Sequence, residues 1–214
     1  MIEKIIVTPA ELVIPVSSSL DEETARAEVY GLLAALYYAA PSKLLYDNLC
    51  VAATQAPAAG AVLESSWSEL VAAARRQSLA EVTAEFDALF GGVSRPEVYL
   101  FGSHYLSGFL NEKPLAALRT DIAALGLARD DAMSETEDHV AYLSEVMRYL
   151  IAGDDVAVAN LTRQREFFTR HVQSWLPQMC DALAAHPKAR FYRALAVFTQ
   201  AFVGVESQGF DMLE

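Results

Sequence analysis

Apolar positions recur three and four residues apart along most of this chain, and a capping residue marks the start of nearly every run. Ser19 with Glu22 reads as a capping box that opens a helix to about Ala40, with the stripe Ala25, Val29, Leu32, Leu33 and Leu36 and a stop at Pro41. Ser42 begins a shorter helix through Leu45 and Leu49, and Pro57–Gly60 reads as a linker. A helix with Leu63, Trp67, Leu70 and Val71 follows. Ser78 with Glu81 opens the next, which carries Val82, Phe86, Leu89 and Phe90 and ends at Gly91-Gly92. The stretch from Gly91 to Gly102 is the least helical interior segment, and its aromatics Tyr99 and Phe101 suit a binding loop. Ser103–Leu110 and Lys113–Leu125 read as helices, with Gly126 as a stop.

Ser134 with Glu137 is expected to cap a helix with the apolar face Val140, Leu143, Val146, Met147, Leu150 and Ile151, closed by Gly153. From Asp154 a long helix is expected through Leu161, Phe168 and Trp175. Pro177 suits the first turn of the next helix, and Pro187 separates a last helix running from Lys188 to about Val205. Ile5, Val7, Val13 and Ile14 offer at most a short strand, interrupted by Pro9 and Pro15, and no strand is expected after residue 18. The expectation is an all-α fold: an extension over residues 1–18, then one compact domain over 19–214 of about eight to ten helices. The 126–134 connection is a candidate hinge, which leaves a monomer and a domain-swapped dimer both open.

The chain has 214 residues, 53% of them hydrophobic, which is ample for a buried core. Its formal net charge of −12 repels phosphate backbones, so nucleic acid is an unfavourable partner and a cationic one fits better. The two cysteines, Cys50 and Cys180, form no C-x-x-C and read as core thiols in a reducing compartment. The apolar run Val29–Ala40 is too short to cross a bilayer, so no stable membrane insertion is expected and the default location is the cytoplasm. No phosphate loop, nucleophile elbow or H-E-x-x-H occurs. A di-iron bundle would need Glu-x-x-His, but the residues three before His104, His139, His171 and His186 are Phe101, Thr136, Phe168 and Leu183. Neither a metal nor a cofactor is expected, and no enzyme activity.

The run Glu135-Thr136-Glu137-Asp138-His139 is the densest polar chemistry of the chain. On a helix, Glu135, Asp138 and His139 would share one face. Two accounts compete. In the first, acids decorate a helix start, where backbone N–H groups are unpaired. In the second, the carboxylates dock a cation such as a guanidinium. One such contact has a Coulomb energy of roughly 4 kcal/mol before desolvation, at about 4 Å and an effective dielectric near 20. Micromolar binding needs about 8 kcal/mol, so apolar surface must contribute the rest. The sign of any shift in the His139 pKa stays open, since neighbouring carboxylates raise it and a helix start lowers it.

Together these residues resemble a known family. Glu135–His139 is similar to the E-P-x-D-H signature of the TorD/DmsD redox-enzyme maturation chaperones, relatives of the NarJ-type chaperones. Leu89-Phe90-Gly91 with Ser103-His104-Tyr105-Leu106-Ser107-Gly108 resembles a second landmark, and Phe167–Pro177 resembles an F-x-x-x-H-x-x-x-W-x-P-like third. The family's usual proline is Thr136 here, which removes a ring that would fix the backbone before Asp138.

The resemblance implies a cytoplasmic chaperone that binds the twin-arginine signal peptide and the apo-form of a molybdoenzyme subunit. It would assist molybdenum-cofactor insertion before export. It places Glu135, Asp138 and His139 at the peptide site, with Tyr99, Phe101 and Tyr105 as apolar walls. Trp175 and Phe168 read as core, His171 as structural, and Ser103 as an N-cap. The competing readings are an all-helical ligand-binding regulator, whose basic segments would be Ala72–Arg76 and Arg163–Arg170, and another non-enzymatic peptide-binding protein.

Overall fold

The structure, a computed structural model, describes residues 3–5, 22–54, 62–91, 95–130 and 133–212. The expected Ser19 cap, the proline breaks at Pro9 and Pro15 and the Pro57–Gly60 linker lie outside these residues. In chain order the elements are β1 (Glu3–Ile5), α1 (Glu22–Tyr38), α2 (Lys43–Val51), α3 (Glu64–Arg76), α4 (Leu79–Leu89), α5 (Gly102–Ser107), α6 (Lys113–Ala124), β2 (Leu127–Arg129), α7 (Val140–Ala152), α8 (Leu161–Phe167), α9 (Leu176–Ala185) and α10 (Phe191–Asp211). The expected all-α class holds. One small sheet interrupts it: β1 pairs in parallel with β2, Glu3 opposite Leu127. That corrects the expectation of no strand beyond residue 18. Three residues are too few for an alternating pattern to register in a sequence.

The chain divides into two compact units. The first holds, among the described residues, 3–5, 22–38 and 100–176, and the second holds 39–99 and 177–212. In the first unit α1 packs along α7. Val140, Ala141, Tyr142, Leu143 and Ser144 are consecutive and all buried, so the first turn of α7 is enclosed on every side. Tyr30, Leu33, Leu36 and Tyr37 of α1 are buried as well. Each such large apolar side chain contributes roughly 1.5–3 kcal/mol by leaving water. The helix expected from Asp154 starts later. Asn160 caps it, its Oδ1 accepting from Arg163 N at 3.1 Å, while Asp155 Oδ1 closes a preceding turn on Ala157 N. Beyond Phe167 the backbone widens into a π-helix over Phe168–Gln173. Phe168 and Trp175 are core, and Trp175 Nε1 donates to the His171 carbonyl at 2.6 Å.

In the second unit the caps follow expectation. Ser42 Oγ accepts from Leu45 N, and Ser78 with Glu81 forms a reciprocal capping box. α4 ends at Leu89, but Gly91 is not a left-handed cap. A side chain there would place Cβ 2.6 Å from the Asp87 carbonyl oxygen, so close approach explains the glycine. Gly126, at φ 74°, does take the left-handed conformation expected of a stop. The long α10 packs on α3 and α4. Its N-terminus is held by the buried Glu85, whose carboxylate accepts from Arg190 N at 2.7 Å, Phe191 N at 3.1 Å and Tyr192 N at 2.9 Å. These are the free donors of a helix start, met by a full negative charge.

Candidate functional site

Glu135–His139 does not form the first turn of a helix. α7 begins at Val140, and the run precedes it as a turn in which His139 N donates to the Thr136 carbonyl at 3.0 Å. Ser134 is therefore not the cap, and Glu135, Asp138 and His139 do not share a helical face. The N-cap is His139: its Nδ1 accepts from Ala141 N at 3.2 Å. A histidine does this only as a neutral ring with the proton on Nε2. Burial pushes its pKa down to about 4, and the Asp138 charge opposes that only in part. The shift left open by the sequence thus has a sign.

The run is stitched to the segment that begins α5. Phe101 and His139 form an antiparallel bridge. Gly102 N donates to the Asp138 carbonyl and Val140 N to the Leu100 carbonyl, both at 2.9 Å. The Asp138 carboxylate accepts from Ser103 N at 2.9 Å and from Thr136 Oγ1 at 2.7 Å. Ser103 contributes its backbone there and not a capping side chain, and its buried hydroxyl has no hydrogen-bond partner among the described residues. Thr136, where the proline was expected, tethers the turn through its hydroxyl. The rings of Phe101 and Tyr38 meet the His139 imidazole edge-on, with centroids 5.0 and 6.4 Å away.

Of the candidate residues, Asp138 and His139 are buried, at 3% and 4% exposure, and Glu135 is partly exposed. Phe101 and Tyr105 are half-buried in the same unit, and Tyr105 stacks on Trp175 with centroids 5.7 Å apart. Tyr99 is half-buried and belongs to the second unit.

Other residues of these segments had not been singled out from the sequence. Leu106, Phe109 and Leu110, at the end of α5 and just past it, are 44%, 71% and 41% exposed. The apolar run around Gly108, too short to bury a face, was the signal for them. Glu137 is nearly buried and pairs with two arginines. Arg119 of α6 places Nε and Nη2 each 2.9 Å from Oε2, and Arg129 of β2 places Nε 3.6 Å from Oε1. Arg129 also donates to the carbonyls of Met133 and Glu135. No local pattern announces these pairings, since the arginines sit 18 and 8 residues from Glu137.

A second polar group lies on the π-helix. The Asp121 carboxylate takes Arg170 Nη1 at 2.8 Å and His171 Nε2 at 2.7 Å, beside a cavity of about 230 Å³ that Phe167 and Leu125 also line. Burial lowers the His171 pKa, and the Asp121 contact opposes it. His171 is structural, as expected. The basic segments a regulator would need are committed elsewhere. Arg75 donates to the carbonyls of Cys50 and Ala52, and Arg76, Arg163 and Arg170 pair with Glu69, Glu166 and Asp121. Among the described residues no helix is long and apolar enough to cross a membrane, and no group of three His, Cys, Asp or Glu is placed to hold a metal.

The family described as "Nitrate reductase delta subunit" matches residues 56–181. The Chaperone protein TorD of Vibrio cholerae serotype O1 (strain ATCC 39541 / Classical Ogawa 395 / O395) is 26% identical over 204 residues, covering 88% of this chain and 93% of that protein. The Chaperone protein TorD of Vibrio parahaemolyticus serotype O3:K6 (strain RIMD 2210633) is 25% identical over 141 residues, covering 62% of this chain and 66% of that protein.

Proposed function

Because the chain belongs to the nitrate reductase delta subunit family and its TorD/DmsD-like redox-enzyme maturation chaperones, we propose that it binds the twin-arginine signal peptide of a molybdoenzyme precursor. It works in the cytoplasm, without catalysis, and holds the apo-subunit until the molybdenum cofactor is inserted. The observation that carries this reading is the pairing of an acidic turn with an apolar ledge across one short helix. Asp138 is bonded to the start of α5, and Leu106, Phe109 and Leu110 stand exposed at its end. Six helical residues span about 9 Å. A signal peptide has the matching order, an arginine pair and then an apolar stretch.

The roles within the site divide by exposure. Glu135 is the partly exposed carboxylate that meets a guanidinium. Asp138 and His139 set the turn from behind, and Phe101 and Tyr105 continue the apolar wall. A synthetic signal peptide titrated into the protein by calorimetry is expected to bind, more weakly as salt rises and more weakly still when lysines replace both arginines. No heat, together with no displacement of a labelled peptide, rejects the proposal.

A further inference from the structure

Glu137 is the one carboxylate of the acidic turn already engaged by arginines, and its engagement is incomplete. Arg119 approaches side-on, with two nitrogens on the single oxygen Oε2. Among the described residues the other oxygen, Oε1, has only Arg129 Nε at 3.6 Å, beyond hydrogen-bond length. A guanidinium binds a carboxylate best through two parallel bonds, one to each oxygen, and that arrangement is not reached here. The Glu137 side chain is 12% exposed, whereas that of Arg119 is 51% exposed and free to leave toward solvent. Arg129 is anchored by the Met133 and Glu135 carbonyls and stays. The bond to Glu137 raises the Arg119 pKa, and the Asp138 charge adds to it. The Tyr142 hydroxyl is buried and has no hydrogen-bond partner among the described residues; burial and then the Glu137 charge raise its pKa, and Arg129 opposes them.

We propose that Glu137 receives one guanidinium of the incoming arginine pair, and that Arg119 is an internal placeholder which the ligand displaces. This rests on the peptide-binding reading above and assigns that site a receptor carboxylate and a competitor. The placeholder neutralises the carboxylate in the empty protein and raises the threshold for any cation that cannot form both bonds. Selection for arginine over lysine then has a structural source, because a lysine brings one point charge and no fork.

The test is calorimetric titration of an arginine-pair signal peptide into the full chain and four variants. Arg119→Gln is expected to tighten binding roughly two- to fivefold, the range of a partly exposed ion pair removed from competition. Glu137→Gln is expected to weaken binding about tenfold, as for a lost charged hydrogen bond. The double variant Arg119→Gln/Glu137→Gln should show no gain over Glu137→Gln. Arg163→Gln is the control. Its side chain is 50% exposed and paired with Glu166, and its loss changes net charge by the same amount.

Unchanged or weaker binding by Arg119→Gln, with the parent protein binding normally, overturns this inference and leaves the peptide reading standing. An equal gain from Arg163→Gln also overturns it, by assigning the effect to net charge. No binding by either the parent or Arg119→Gln removes both. If Glu137→Gln does not fold, the comparison of Arg119→Gln with Arg163→Gln still decides the question.

Discussion

Acidification is expected to destabilise the protein through His139, and the size of the effect follows from its surroundings. The residue is only 4% exposed, and its Nδ1 accepts the Ala141 N–H that opens α7. Protonating Nδ1 would replace an acceptor with a donor facing that N–H. The folded pKa is about 4, below the unfolded value of about 6.5. Between those values the unfolded chain binds a proton that the folded chain refuses, so stability is lost as pH falls through this window. From about pH 7.5 to about pH 5 the loss is about 2 kcal/mol. The assay is urea unfolding by far-UV circular dichroism at both pH values, for the parent and for His139→Asn. Asparagine caps a helix without titrating. It forfeits the Phe101 and Tyr38 contacts equally at both pH values, so the difference between the two proteins isolates the proton. His171 and His104, also lowered by burial, are present in both and cancel. If His139→Asn loses as much stability on acidification as the parent, the neutral-cap account of this turn is wrong.

Three further outcomes test the packing. Asp138→Ala leaves the buried Ser103 N–H unpaired and should cost about 2–3 kcal/mol, read as a lower Tm; an unchanged Tm would mean that the stitch between the two segments carries no weight. Glu85→Gln replaces a full charge at the start of α10 and should cost about 1–2 kcal/mol in the same melt, with stability equal to the parent counting against the anchor. Gly102→Ala would set a Cβ 2.9 Å from Trp175 Nε1. Since that indole is rigid, buried and bonded to the His171 carbonyl, the variant should lose about 1–3 kcal/mol and shift the tryptophan emission, and a silent spectrum would contradict the contact.

The helices were legible because capping chemistry and apolar spacing agree locally. Ser42, Ser78 with Glu81, Gly126 and Pro177 all fall where their chemistry predicts. The start of α7 was not legible. Ser134 with Glu137 has the form of a capping box, but the cap is His139, whose role depends on a neutral imidazole created by burial. Polar residues in a row read as exposed, yet Asp138 and His139 are buried because the backbone of 100–103 pairs with them, 35 residues away in the case of Ser103. The division into two units left no trace either. The crossings at 38/39, 99/100 and 176/177 carry no glycine- or serine-rich linker. The resemblance pointed to Glu135, Asp138 and His139 together; the geometry distinguishes a partly exposed Glu135 and an arginine-paired Glu137 from the buried Asp138 and His139.

Those crossings also order events during synthesis. The first unit has all its described segments once residue 176 has left the ribosome, whereas the second must wait for 177–212. Until then α3 and α4 lack the α10 surface that packs on them, and Glu85 has no helix end to hold. The half-made chain therefore displays an apolar surface while its first unit is already complete. A chain halted near residue 180 would present such a surface of its own and become a substrate for general folding factors.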